Sequence, residues 1–172
     1  MTPPPALRSW VTANVSREGT VRAIAFVARC TGAAVLAFVI GVRLQLDHPV
    51  WASVSALVVS QDTLGDTHRS LTWRIAATGV GALVAVLVAL AMRGAGPVAT
   101  LAVAVAITAG IARIRTELRV GMWTSVIVLL TVPPGGSIIG VALARSVEVL
   151  LGVLIGAGLH WGTERLLFRR TD

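Results

Sequence analysis

The sequence predicts an all-α membrane protein of six transmembrane helices, built as two inverted three-helix repeats with both termini cytoplasmic. Three observations carry this expectation: an apolar, charge-poor composition, six apolar segments separated by polar turns, and an internal duplication. Of 172 residues, 55% are hydrophobic and 13% charged, and the mean hydropathy is +0.82. Soluble domains carry about 25% charged residues. A chain with so little polar surface has the bilayer as its natural solvent.

The net charge of +7 comes from arginine alone. These arginines are scattered between apolar runs without a basic stripe or interleaved aromatics, which argues against a nucleic-acid partner. Cys30 is the one cysteine, so neither an intrachain disulfide nor a cysteine-based metal site can form. No cofactor is expected.

Residues 1–20 lack the apolar core of a cleavable signal. Leu7, Trp10, Val11 and Val15 share one helical face, as in a short helix lying in the membrane interface; a tail without structure fits as well. The six-helix domain is expected over residues 21–168, with repeat 1 about 21–93 and repeat 2 about 95–165. Residues 169–172 form a cytoplasmic tail.

The apolar segments run approximately 23–42, 50–61, 70–92, 97–112, 120–133 and 141–161. About 20 residues span a hydrocarbon core. The first, third and sixth reach that length, the fourth falls slightly short, and the second and fifth are clearly short. Polar turns separate them: Leu46–Pro49, Asp62–Arg69, Arg93–Pro97, Arg113–Arg119 and Pro133–Ser137. Each holds residues that break helices or prefer water.

The duplication aligns Trp51, Ser53, Val54 and Leu57 with Trp123, Ser125, Val126 and Leu129 at one constant offset. Arg43 and Leu46 fall on Arg115 and Leu118, and, after a one-residue slip, Arg74 and Gly81 fall on Arg145 and Gly152. Three is odd, so the second repeat must enter the membrane from the opposite side. The arginine distribution agrees. Arg8, Arg17 and Arg22 precede the first segment, Arg113, Arg115 and Arg119 precede the fifth, and Arg165, Arg169 and Arg170 follow the sixth. The alternate loops carry Arg43, Arg93 and no charge, so the positive-inside rule puts the arginine-rich loops in the cytoplasm. A multi-pass protein of the plasma (inner) membrane, in contact with its lipid, is expected. Inverted repeats are a transporter architecture, and unusually short segments at matching places point to the transport site. Small residues spaced four apart (Ala33, Ala37 and Gly41; Ala77 and Gly81; Gly152 and Gly156) are suited to close helix packing.

Arginine near the centre of a membrane helix costs about 2.5–3.5 kcal/mol on insertion scales, so buried arginines ask for a reason. Arg74, about one turn into the third segment, and Arg145, in the first half of the sixth, sit at mirrored depths. They can receive an anion's carboxylate on either side of a central site, or Arg74 can snorkel to the headgroups. Glu148 lies one turn from Arg145 and either neutralises it or relays protons. Arg29 shares a face with Arg22, and the two suit lipid phosphate. Trp51 and Trp123 either stack on an aromatic substrate or anchor the helices at the interface. Ser60, Gln61 and Asp62 line a hydrated path or cap a helix beside water. His48, His68 and His160 show no metal-ligand spacing, and Ser53 and Ser125 have no accompanying base, so no catalytic residue and no metal site is assigned.

Trp51, Gln61, Gly65, Arg74, Thr78 and Gly81, with Arg145, Glu148 and Gly152 in the second half, resemble the fusaric acid resistance and aromatic acid exporter family of bacterial membrane proteins. The pattern is a Trp-led short helix ending near Gln, a glycine-containing polar turn, and an Arg-opened helix. The likeness extends over nearly the whole chain from about residue 20. Many members have glycine where this chain has Ala77, and many carry a second six-helix block and a large cytoplasmic domain, so the resemblance implies a half-size unit. It also implies export of small organic anions, aromatic carboxylates above all, by a homodimer or higher homo-oligomer. Here the substrate-binding residues are Arg74, Arg145, Trp51, Trp123 and Gln61, with Glu148 and Asp62 as coupling candidates. A non-transporting scaffold or accessory subunit and a passive anion channel are the alternatives.

Overall fold

The computed structural model describes residues 17–60 and 64–167. Among the described residues six α-helices follow one another: α1 Arg17–Arg43, α2 Val50–Val59, α3 Leu64–Ala91, α4 Pro97–Ile114, α5 Val120–Leu130 and α6 Ile138–Leu167. A 3-10 turn, Thr116–Arg119, precedes α5. No strand occurs among the described residues. Each apolar segment of the sequence gives one helix. The interfacial helix read at Leu7–Val15, the tail at 169–172, Gln61 and Asp62 lie outside the described residues.

Among the described residues four helices are long and apolar enough to cross a membrane: Gly19–Arg43, Gly65–Ala91, Pro97–Ile114 and Ile138–Leu166. Two boundaries differ from expectation. The fourth segment is not short, because α4 continues through Arg113 and Ile114 to reach 18 residues. The polar stretch Asp66–Arg69 is helix rather than turn, since α3 starts at Leu64. Arg74 therefore sits roughly three turns into its helix, not one. Polar side chains beside water do not end a helix when no proline or glycine cap interrupts the ladder. By contrast α2 and α5 hold 10 and 11 residues, about half of a bilayer core at 1.5 Å per residue.

The helix ends follow local chemistry. Pro97 opens α4 in its first turn after Gly96, where its missing N–H goes unneeded. After α1, Gln45 takes the left-handed conformation at φ 55. The Gln45 and Leu46 amides return to the Val42 and Gly41 carbonyls, as in a Schellman cap. Pro133 and Pro134 follow α5 and block its continuation.

Packing centres on the short helices. α2 lies on α6, α5 lies on α3, and α3 crosses α6; α1 covers α2 and α6, while α4 covers α5 and α3. The contacts are backbone to backbone. A Cβ on Gly152 would collide with the Ala52 carbonyl oxygen, and one on Gly81 with the Gly121 carbonyl oxygen. The duplicated glycines thus each seat a short helix of the other half. Ala77, where the family resemblance leaves helix contact in question, is fully buried. Its carbonyl oxygen would stand 3.0 Å from a Cβ on Gly121, so the glycine this contact needs comes from α5. Ser53 donates to the Ala34 carbonyl of α1 at 2.8 Å, whereas Ser125 donates to the Met122 carbonyl of its own helix at 2.8 Å and lies 3.5 Å from Thr108 of α4.

Candidate functional site

α2 and α5 run in opposite directions between two mouths. At one end the α1–α2 loop (Asp47, His48) and the α5–α6 loop (Pro133, Ser137) surround a cavity of about 440 Å³ that reaches Arg145 and Glu148. At the opposite end Asp66, Arg69 and Trp73 of α3, with Glu117 of the 3-10 turn, surround one of about 380 Å³ that reaches Arg74. Between the two short helices lies a third cavity of about 370 Å³. Its wall includes Trp51, Val54, Arg74, Trp123, Ile127 and Arg145. Arg145 borders the first and third cavities, and Arg74 borders the second and third. The three lie next to one another, with an arginine on the shared wall of each neighbouring pair.

Four of the site residues read from the sequence thus meet on one wall, although Trp51 and Trp123 stand far apart in the chain. Gln61 and Asp62 lie outside the described residues. Arg74 and Arg145 are 7% and 4% exposed. Arg74 Nη2 donates to Ser55 Oγ at 3.3 Å, and its Nε has no hydrogen-bond partner. Arg145 stacks on the Trp51 ring at 4.0 Å, and its Nε and Nη1 lack partners too. Buried polar atoms are nearly always satisfied. Three unsatisfied guanidinium nitrogens beside one cavity are therefore donors in search of an acceptor. An anionic oxygen is the acceptor that suits them.

The two tryptophans are not equivalent. Trp51 is half-buried under Arg145, whereas Trp123 is 72% exposed and leaves the cavity open on its side. Glu148 is buried, with Oε2 3.8 Å from Arg145 Nη1 and Oε1 accepting the His48 backbone N–H at 2.8 Å. Arg29, grouped in sequence with Arg22, is buried with its guanidinium 5.3 Å from the Phe26 ring, while Arg22 is exposed. The shared lipid-phosphate face does not form, because the bundle covers α1 at the level of Arg29. Trp161 is half-exposed under Arg165 at 3.6 Å, as suits an anchor at a helix end.

Sequence reasoning passed over three partners. Ser55 holds Arg74, the His48 amide holds Glu148, and fully buried His160 meets Thr67 through Nδ1 and lies 3.9 Å from Glu164 through Nε2. Only the last had a signal, the one-turn spacing of His160 and Glu164. Among the described residues no group of His, Cys, Asp and Glu is placed to hold a metal ion.

Compared with known proteins, the family model described as fusaric acid resistance protein-like matches residues 32–158. No curated protein and no solved structure matches the chain.

Proposed function

Because this chain belongs to the fusaric acid resistance protein-like family, we propose that it is a membrane transporter that exports small organic anions, aromatic carboxylates foremost. The observation that carries this is the pair of buried arginines with unsatisfied donors on one largely apolar cavity between α2 and α5. An apolar ring fits such a cavity, and its carboxylate supplies the acceptor that the guanidinium nitrogens lack. The anion passes from Arg74 to Arg145, each arginine lending its charge on one shared wall.

The inverted-repeat reading draws support from the antiparallel short helices and from the exchanged glycine contacts of Gly81 and Gly152. With six crossings and cytoplasmic termini, the Arg69–Glu117 mouth faces the cytoplasm and the His48 mouth faces outward. The pair of Arg69 and Glu117 at 3.5 Å then lies at the inner mouth. Trp123 leaves one side of the cavity uncovered, which favours a homo-oligomer, most simply a dimer, whose second copy completes the wall. Glu148 and Asp62 are the coupling candidates, and Gln61 is a further candidate for contact with the substrate.

The test is efflux of labelled benzoate from cells expressing the chain, beside Arg74→Ala at matched membrane levels. Efflux above that of empty cells, lost in the variant, supports the path. Equal efflux from wild-type and empty cells for benzoate, salicylate and cinnamate would sink it and leave an accessory subunit. Glu148→Gln separates a proton-driven exporter, in which flux uncouples from the gradient, from a passive channel, in which it does not.

A further inference from the structure

Glu148 stands one helical turn from Arg145, so their spacing suggests a closed ion pair. The structure keeps them an ion pair but not a hydrogen-bonded one. The shorter bond of Glu148 goes to the His48 backbone N–H, at 2.8 Å. Its other oxygen remains 3.8 Å from Arg145 Nη1, beyond hydrogen-bond distance. Nε and Nη1 of Arg145 make no hydrogen bond.

The amide that holds the carboxylate back is itself well fixed. The turn after α1 is closed by the two amide bonds of Gln45 and Leu46. Pro49 then packs on Gly41, where a Cβ would come within 2.9 Å of the proline Cβ. The His48 N–H therefore stands at a set point on the wall of the outer cavity. The bond from this fixed donor is charge-assisted and is the shorter of the two contacts that Glu148 makes.

We infer that His48 is a positioning residue of the anion site, acting through its backbone rather than its ring. Its N–H keeps Glu148 off Arg145 and leaves the guanidinium fork for the carboxylate of the transported anion. The inference rests on the reading of Arg145 as an anion receptor. Without the amide, the carboxylate turns onto Arg145 and competes with the ligand. Neutralising Glu148 removes the competitor.

The test is binding of labelled benzoate to the purified full chain in lipid nanodiscs. His48→Ala retains the N–H and binds as wild type does. His48→Pro lacks it and binds at least about tenfold more weakly, the size expected for one hydrogen bond to a charged group. The double variant His48→Pro with Glu148→Gln recovers the binding of Glu148→Gln alone. Since a second proline beside Pro49 can disturb the turn, Glu148→Asp serves as an independent probe. It keeps the charge but falls one methylene short of the His48 N–H, so it binds more weakly than Glu148→Gln. A merely structural role for Glu148 reverses that order. Failure of Glu148→Gln to rescue His48→Pro, or tighter binding by the Asp than the Gln variant, would overturn the inference. Benzoate binding that is lost in Arg145→Ala while these variants behave alike would overturn it and leave the anion reading intact. No binding by the wild type would remove both.

Discussion

Gly152→Ala tests whether the seat of α2 on α6 is as close as the structure has it. The added Cβ overlaps the Ala52 carbonyl oxygen and stands 2.8 Å from its carbon and from Ser55 Cβ, where carbon atoms keep about 3.5 Å or more. The obstructing atoms are backbone, so α2 must move as a body. Overpacking of this kind costs roughly 1–3 kcal/mol, and the upper end applies when no side chain can yield. Alanine also favours the helix by about 1 kcal/mol over glycine. Gly158→Ala, on the same helix with nothing within 4 Å of its added Cβ, carries that gain alone. The difference between the two variants isolates the packing cost, about 3 kcal/mol. At about 2–4 °C per kcal/mol for a chain of this size, the thermal midpoints differ by about 6–12 °C. Tryptophan fluorescence on detergent-purified protein reads it. Because the clash also pushes on Ser55, the partner of Arg74, benzoate efflux falls in Gly152→Ala and holds in Gly158→Ala. Equal midpoints for the two variants would refute the close approach and, with it, the packing on which the central cavity depends.

The tryptophans separate stability from transport. Trp51→Leu removes the ring under Arg145 and lowers stability by about 0.5–2 kcal/mol, while Trp51→Phe recovers most of it; thermal unfolding measures both. Trp123→Ala, at an exposed position, leaves the midpoint near wild type but cuts benzoate efflux by about threefold to tenfold, the worth of one aromatic stack. Unchanged efflux would make Trp123 an anchor alone. Thr67→Val removes the bond to buried His160 and destabilises by about 1–3 kcal/mol, whereas Thr67→Ser is close to neutral; equal midpoints would show that the bond carries no weight.

Helix number and order were legible from the chain, because apolar runs and turn residues act locally. So was the choice of Arg74, Arg145, Trp51 and Trp123 as one group, since a duplication marks equivalent places without any knowledge of contacts. The start of α3 was not legible: Asp66, His68 and Arg69 read as a turn by polarity, yet nothing in their chemistry breaks a helix. The fate of Glu148 was not legible either. Its spacing from Arg145 is a local fact, but its shorter bond goes to an amide a hundred residues away in the chain.

The sequence alone determined the solvent of this protein, its helices and the charges it carries into them, for each of these depends on residue type and short-range order. The tertiary structure decided what those charges face. Close backbone contacts at Gly81, Gly121 and Gly152 bring α2 and α5 to either side of one cavity. That arrangement leaves two arginines with unsatisfied donors there and fixes the Glu148 carboxylate on a loop amide. Partner choice for a buried charge is set by distances across the fold, and no pattern along the chain encodes them.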